Sequence, residues 1–166
     1  MKIEIKKYLN ILLVAGAIVA FDQWTKQLVI KNIPLNTSFL PDSLQWLAPY
    51  ARFTHIQNSG ASFGMFQNGN MVFVILALLI VGGMFYYVSK MESASTLMLV
   101  AVGLYMGGAI GNLIDRLTIG KVTDFVSVGT FYIFNVADAS INIAVVLLLI
   151  ALWQEEKSKT NEVHAE

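Results

Sequence analysis

The chain has 166 residues, no cysteine and no net charge, with 11 basic and 11 acidic residues. Hydrophobic residues make up 56% of it and charged residues only 13%, about half the charged share of a typical soluble domain. This composition excludes a basic nucleic-acid-binding protein, a disulfide framework and a cysteine nucleophile. We therefore expect a single integral membrane domain over residues 1–166, with lipid as its main solvent.

Four apolar runs follow one another along the chain, each near the roughly 20 residues that a spanning helix needs. Backbone polar groups cannot stay unpaired in lipid, so each run is predicted to be helical. The predicted fold is a mainly α membrane protein with four transmembrane helices and a small, partly β extracytoplasmic subdomain. The predicted helices cover residues of about 8–30, 71–88, 96–116 and 136–153.

The first apolar run permits two interpretations. It follows Lys2, Lys6 and Lys7, and this pattern also fits a cleavable secretory signal that ends near Ala20. The apolar pattern resumes at Leu28, as it would in a longer retained helix. Three further spans keep the protein in the membrane under either interpretation.

Two longer connections join the predicted helices, residues 31–70 and 117–135. Within the first, residues 52–57 alternate in polarity and predict a short strand. Lysines are more frequent near the termini and in the 89–95 turn than in these connections, which favours cytoplasmic termini. The two connections then form outer loops, and the polar tail from Gln154 is predicted to be frayed.

Polar residues gather at the predicted extracytoplasmic ends of three helices. A charge at membrane depth costs several kcal/mol, so such a group predicts a functional site. The residues concerned are Asp22, Lys26, Asn112, Asp115, Arg116, Asn135 and Asp138.

Most of these residues also have a purely structural interpretation, and Asp124 could be an ordinary loop acid. Asp22 and Lys26 fit an i,i+4 ion pair that stabilises a helix end. Arg116 fits a membrane-surface anchor. Asn135 fits a helix N-cap, and Asp138 a first-turn acid favoured by the helix dipole.

Five short motifs contain these polar residues in chain order. They are Asp22-Gln23-Trp24-Thr25-Lys26, Asn58-Ser59-Gly60-Ala61-Ser62-Phe63, Gly107-Gly108-Ala109-Ile110-Gly111-Asn112-Leu113-Ile114-Asp115-Arg116, Val122-Thr123-Asp124-Phe125 and Phe134-Asn135-Val136-Ala137-Asp138. Taken together, they resemble the characteristic motifs of the lipoprotein signal peptidases (signal peptidase II), a family of membrane aspartyl proteases. The resemblance covers nearly the whole chain.

The resemblance implies a membrane endopeptidase that removes the signal peptide from diacylglyceryl-modified bacterial prolipoproteins, cutting before the lipidated cysteine. It makes Asp124 and Asp138 the catalytic dyad. The implied partners are the lipidated prolipoprotein, through its signal helix and diacylglyceryl group, and membrane lipid. The implied location is the bacterial cytoplasmic (inner) membrane, with the active site near the extracytoplasmic face, and no cofactor is implied.

The resemblance also implies supporting roles for the other polar residues. Asn112 and Arg116 would line the site and position substrate, and Asn135 would orient the dyad. Further site-supporting residues are Asn58 and Gly60 near the substrate channel, with Asp22, Lys26 and Asp115 in structural or supporting positions.

The chemistry of a carboxylate pair agrees with this assignment. An ionised carboxylate can take a proton from water while a protonated one donates to the carbonyl oxygen of the scissile bond. Two adjacent carboxylates cannot both ionise, so the pair shares one proton. The 13 residues between Asp124 and Asp138 suffice for a return that brings the two together.

Other interpretations are weaker. His55 is the histidine available to a Ser-His-Asp triad, since His164 lies in the polar tail, and Lys26 could serve a Ser-Lys dyad. No serine lies in a recognisable nucleophile turn. No histidine-rich or HExxH-like spacing predicts a metal site. A small transporter or a scaffold protein would also place acids in membrane helices.

Overall fold

The computed structural model describes residues 2–60, 69–91 and 94–163. Within these ranges the chain forms four long helices and three short strands. The helices are α1 (Lys2–Asn32), α2 (Asn70–Lys90), α3 (Thr96–Thr118) and α4 (Val136–Val163). The strands are β1 (Ser38–Phe39), β2 (Ala51–Asn58) and β3 (Val122–Val128), with a 3-10 helix at Asp42–Leu47.

The protein is a multi-pass membrane protein, mainly helical, with a small sheet. Within the described ranges, three helices are long and apolar enough to cross a membrane, namely α2, α3 and α4 as far as Ser158. The prediction of four transmembrane helices is therefore not confirmed for α1. This helix interrupts its apolar run with Asp22 and Lys26, which lowers its hydropathy toward the C-terminal end.

α3 is the central helix and packs between α1 and α4. Its glycines permit this close approach. A Cβ at Gly107 would lie 2.9 Å from the carbonyl oxygen of Ala15 in α1. A Cβ at Gly108 would lie 2.5 Å from the carbonyl oxygen of Ala137 in α4. The glycine-rich motif thus allows close helix packing on both sides of α3.

Two apolar clusters hold the helices together. The smaller cluster joins Val29 near the C-terminal end of α1, and Ile33 directly after it, to Phe125 of β3. It fixes the sheet onto the end of the helical bundle. The larger cluster lies at the other end of the bundle and contains Ile11, Ala15, Val88, Met98, Leu99, Val102, Met106 and Ala151.

The sheet is antiparallel with the order β1-β2-β3. The strand predicted at residues 52–57 is confirmed as β2. β3 lies within the predicted outer loop of residues 117–135 and forms part of the small sheet. β3 gives β2 a second hydrogen-bonded neighbour, with Ile56 opposite Asp124. The edge of β2 that faces away from β1 is therefore paired.

α1 passes through the proposed signal-cleavage point without a break. Ile11 and Ala15 before that point are buried in the bundle, and Val29 and Ile33 after it are buried against the sheet. Packing on both sides of Ala20 favours a retained helix over a cleavable signal.

The prediction of a frayed tail from Gln154 is wrong, because α4 continues to Val163. Glutamine, glutamate and lysine are good helix formers. The Lys157 ammonium also lies 5.3 Å from the ring centre of Trp153, one turn earlier. His164 and motif residues 61–63 lie outside the described residues.

Candidate active site

Asp124 and Asp138 line one cavity of about 160 Å³ at the sheet end of the bundle. Asp124 lies in the middle of β3, and Asp138 lies in the first turn of α4. The chain turns at Gly129 and returns to form a bridge between Val126 and Phe134. The predicted return between the two aspartates is therefore present. Other described lining residues are Asn58, Gly60, Phe73, Asn112, Arg116, Val122, Tyr132 and Ile133.

Asn135 ties the two aspartates together. Its Oδ1 accepts from the backbone N–H of Asp138 at 2.9 Å, and its own N–H donates to Asp138 Oδ2 at 3.2 Å. This reciprocal pair is a capping box at the start of α4. The Nδ2 of Asn135 also donates to Asp124 Oδ1 at 2.7 Å. Asn135 is thus both the helix cap and a link between the carboxylates.

Each oxygen of the aspartate pair accepts a hydrogen bond. Asp138 Oδ1 accepts from Asn112 Nδ2 at 2.8 Å, while its Oδ2 accepts from the backbone of Asn135. Asp124 Oδ2 accepts from Asn58 Nδ2 at 3.1 Å. The N–H of Gly60 donates to Asn58 Oδ1 at 3.0 Å and so holds that side chain in place. Four donors therefore fix the orientation of both carboxyl groups.

Asp124 is suited to hold a proton near neutral pH. It is only 2% exposed. Burial and, after it, the charge of Asp138 raise the pKa of Asp124 to about 7, against the opposing hydrogen bonds from Asn58 and Asn135. A carboxyl group in this environment can act as an acid where an ordinary aspartate would be ionised.

Arg116 places a cation beside the cavity. Its guanidinium lies 5.0 Å from the ring centre of Phe73 on α2 and acts electrostatically on Asp138 and Asp124. Its Nη1 donates to the carbonyl oxygen of Asn112, one turn earlier in α3, at 3.5 Å. Asn70 Nδ2 donates to the carbonyl oxygen of Arg116 at 3.1 Å, which connects the start of α2 to the end of α3.

Asp22 and Lys26 form the expected i,i+4 pair, with 2.8 Å between Asp22 Oδ2 and Lys26 Nζ. The pair is fully buried and does more than stabilise a helix end. Lys26 Nζ also lies 3.2 Å from Asp115 Oδ2 and donates to Asn112 Oδ1 at 2.9 Å. Asp22 Oδ1 accepts from the N–H of Ala137 at 2.9 Å. This buried cluster of Asp22, Lys26 and Asp115 joins α1, α3 and α4 directly behind Asn112.

Several contributing residues lie beyond the sequence-based assignment. Gln23 Nε2 donates to Asp115 Oδ1 at 2.9 Å and to the carbonyl oxygen of Gly111 at 3.1 Å. Gln23 belongs to the first motif, so a signal for it existed. Phe73 and Tyr132 line the cavity from segments where nothing distinguishes them from other apolar or aromatic residues.

The rival catalytic groups do not come together. His55 Nδ1 contacts the carbonyl oxygen of Ile33 at 2.7 Å, and the ring does not line the cavity. Lys26 contacts two carboxylates and an amide and, among the residues that the structure describes, no serine. Across the parts of the chain that the structure describes, no group of three or more acidic or histidine side chains is arranged to hold a metal ion.

Comparisons with known proteins agree on one family. Residues 14–154 match the family model described as signal peptidase (SPase) II. The chain is 37% identical over 142 residues to a lipoprotein signal peptidase of Streptococcus thermophilus, covering 84% of this chain and 90% of the relative. It is 38% identical to one of Symbiobacterium thermophilum, over 92% of this chain and 99% of the relative. A solved structure described as a bacterial membrane enzyme at 2.3 Å resolution has 32% identity, a TM-score of 0.81 and 90% coverage of both chains.

Proposed function

The chain belongs to the signal peptidase II family, and from this premise we propose that it removes the signal peptide from diacylglyceryl-modified bacterial prolipoproteins by cutting before the lipidated cysteine. Family membership makes the protein a membrane protease, in place of the transporter and scaffold alternatives. The relatives are named lipoprotein signal peptidases, which supports a prolipoprotein as the substrate.

The proposed mechanism uses Asp124 and Asp138 as an aspartic dyad with water as the nucleophile. The observation that carries it is the pair of carboxyl groups, that of Asp124 buried, that line one cavity and are joined through Asn135. One carboxylate takes a proton from water, and the other donates a proton to the carbonyl oxygen of the scissile bond. The raised pKa of Asp124, about 7, supports a shared proton at neutral pH. Because the two carboxyl groups interact, a measured pKa of this site describes the pair of aspartates and not Asp124 alone.

The size of the cavity supports a substrate whose scissile peptide lies in the cavity while its signal helix and acyl chains lie outside it. The cavity of about 160 Å³ admits water and only a small part of the substrate at the dyad. A signal helix and two acyl chains do not fit there. We place them against the exposed apolar faces of α2 and α4, which lipid would otherwise cover. Arg116 and Asn112 then position the peptide backbone at the dyad.

We also propose that α1 is the fourth transmembrane span and that both termini are cytoplasmic. The polar residues of α1, α3 and α4 meet at one end of the bundle, together with the sheet. Lys7 lies at the other end, where its Nζ donates to the carbonyl oxygen of Met91 after α2. Lysines at that end favour the cytoplasmic side, so the dyad lies near the extracytoplasmic face of the cytoplasmic membrane.

Neutralising either aspartate tests the mechanism. We expect Asp124→Asn and Asp138→Asn each to lower the rate of prolipoprotein processing by roughly a hundredfold to ten-thousandfold, because neither variant can share a proton between two carboxyl groups. The measurement is cleavage of a diacylglyceryl-modified prolipoprotein by purified enzyme in detergent or vesicles.

The matched control for these variants is Asp42→Asn, which removes an exposed acid from the same outer subdomain. It should process at the wild-type rate. The dyad would be disproved if Asp124→Asn or Asp138→Asn, folded in membranes, still cleaved at that rate.

A further inference from the structure

The side-chain amide of Asn112 is held in one orientation by its neighbours. Its Oδ1 accepts from Lys26 Nζ at 2.9 Å and from Asn135 Nδ2 at 3.1 Å. An ammonium group has donors only, so the oxygen of the amide must face Lys26. The Nδ2 group is then turned toward Asp138, to which it donates at 2.8 Å. With the amide reversed, two N–H donors would face the ammonium and an oxygen would face the carboxylate.

We infer that Lys26 is a positioning residue for the reaction: it fixes the amide of Asn112 so that this amide donates to Asp138 and holds the dyad in its reactive geometry. The inference rests on the proposed function, because it assigns Lys26 a role only if Asp138 is catalytic. It differs from a stabilising ion pair, whose loss would weaken the fold without changing the chemistry of the dyad.

The burial of Lys26 limits its action to this indirect route. It is 1% exposed and is not among the residues that line the cavity, so it does not reach the substrate. Burying an ammonium group is costly, and an apolar side chain of similar volume would serve packing alone as well or better. The lysine lies beside Asp22 and Asp115, which balance its charge. Its Nζ is 2.8 Å from Asp22 Oδ2 and 3.2 Å from Asp115 Oδ2.

The same cluster also fixes the backbone on which Asp138 lies. Asp22 Oδ2 pairs with Lys26, which leaves Oδ1 to accept from the N–H of Ala137 in the first turn of α4. Asp138 is the next residue. Lys26 therefore orients the hydrogen-bond donor of Asp138 through Asn112, and it orients the residue that anchors the start of α4.

The charge of Lys26 provides a second, measurable effect. It favours the ionised form of Asp124 and so lowers the pKa of that residue, in opposition to burial and to Asp138. Removing the charge should let the dyad keep its proton to higher pH. The other charged groups that surround the dyad are Asp22 on α1 and Asp115 and Arg116 on α3.

Replacing the lysine by an uncharged side chain of similar length tests the inference. We expect Lys26→Met to lower kcat roughly tenfold to hundredfold, as for the loss of a hydrogen bond to a charged group, and to leave KM unchanged. The pH profile of kcat should shift upward. The matched control is Lys7→Met, which removes another buried lysine of α1, roughly 28 Å away at a rise of 1.5 Å per residue. It should leave kcat and the pH profile unaltered.

A double variant separates positioning from charge balance. Lys26→Met leaves Asp22 and Asp115 without their cation, which destabilises the protein. Lys26→Met with Asp115→Asn removes one positive and one negative charge and relieves that imbalance. If Lys26 positions Asn112, kcat of the double variant stays well below that of Asp115→Asn alone. If Lys26 serves only to balance charge, kcat returns to the level of Asp115→Asn.

Three results overturn the inference. The first is that Lys26→Met folds and has the same kcat and pH profile as Lys7→Met. The second is that Lys26→Met lowers kcat without shifting the pH profile. The third is that kcat of the double variant returns to that of Asp115→Asn. Each leaves the proposed function intact as long as Asp124→Asn and Asp138→Asn are inactive. Processing by those two aspartate variants would instead disprove the proposed function itself.

Discussion

At the scale of single residues, Asp124 should control the pH dependence of the protease. Its pKa is raised to about 7 by burial and by Asp138. The proposed reaction needs one proton on the dyad, so we expect kcat/KM to fall as the pH rises above about 7, where that proton is lost. The measurement is the rate of prolipoprotein cleavage between pH 5 and about 9. A rate that stays constant across this range would contradict the assignment.

The same group should make the folded protein less stable as the pH rises. The folded pKa of about 7 lies above the ordinary value of 3.8, so the folded state binds this proton more tightly than the unfolded state. The favourable contribution of this proton to the stability of the folded state is complete below pH 3.8. It is lost as the pH rises through about 7. Asp124→Asn, which has no proton to lose at this position, serves as the control in thermal unfolding.

Sequence motifs identified the acids and amides of the site, because burying such residues at the end of an apolar helix is costly and therefore selective. Asp124, Asp138 and Asn135 all come together as predicted. Phe73 and Tyr132 could not be predicted in the same way. Their place at the cavity depends on how α2 and the chain before α4 pack, and an aromatic residue in an apolar stretch has no local pattern to indicate that.

At the scale of elements, the glycines of α3 set how closely α1 and α4 approach the site. We expect Gly108→Ala to destabilise the protein by about 1–3 kcal/mol, because overpacking forces neighbouring groups apart. The new methyl group would meet the backbone carbonyl oxygen of Ala137 at 2.5 Å, and a backbone group cannot move aside as a flexible side chain can. The measurement is the thermal unfolding temperature in detergent.

The control is Gly83→Ala in α2, where a Cβ meets nothing within 4 Å. Alanine is a better helix former than glycine, so Gly83→Ala should leave stability unchanged or raise it slightly. Equal effects of the two substitutions would show that close packing against α4 does not require a glycine at this position of α3.

The helices were predictable from the length of their apolar runs, and their ends were not. α4 extends past Trp153 because charged helix formers and the stacking of Lys157 on that ring continue the helix into water. β3 was not predicted as a strand, because its strand character depends on pairing with β2. Pairing between distant segments leaves only a weak trace in a single sequence.

At the scale of the whole molecule, polarity is divided between the two ends of the bundle. The sheet, the cavity and the buried cluster of Asp22, Lys26 and Asp115 lie at one end. Lys7 and the larger apolar cluster lie at the other. Under the proposed mechanism, this division lets one chain present an apolar surface to a lipidated substrate and still supply water to a pair of carboxyl groups. The proposal requires that the cavity open near a membrane surface and that α1 cross the bilayer beside α3.

The absence of cysteine from the chain allows a direct test of this orientation. Single cysteines at three exposed positions, Lys6→Cys, Asp42→Cys and Ser158→Cys, mark the start of α1, the outer subdomain and the end of α4. In right-side-out membrane vesicles, a membrane-impermeant thiol reagent should label only position 42. Positions 6 and 158 should react only after the vesicles are opened, because cytoplasmic termini lie inside. Labelling of positions 6 and 42 from the same side would show that α1 does not cross the membrane, and labelling of 158 but not 42 would reverse the proposed orientation.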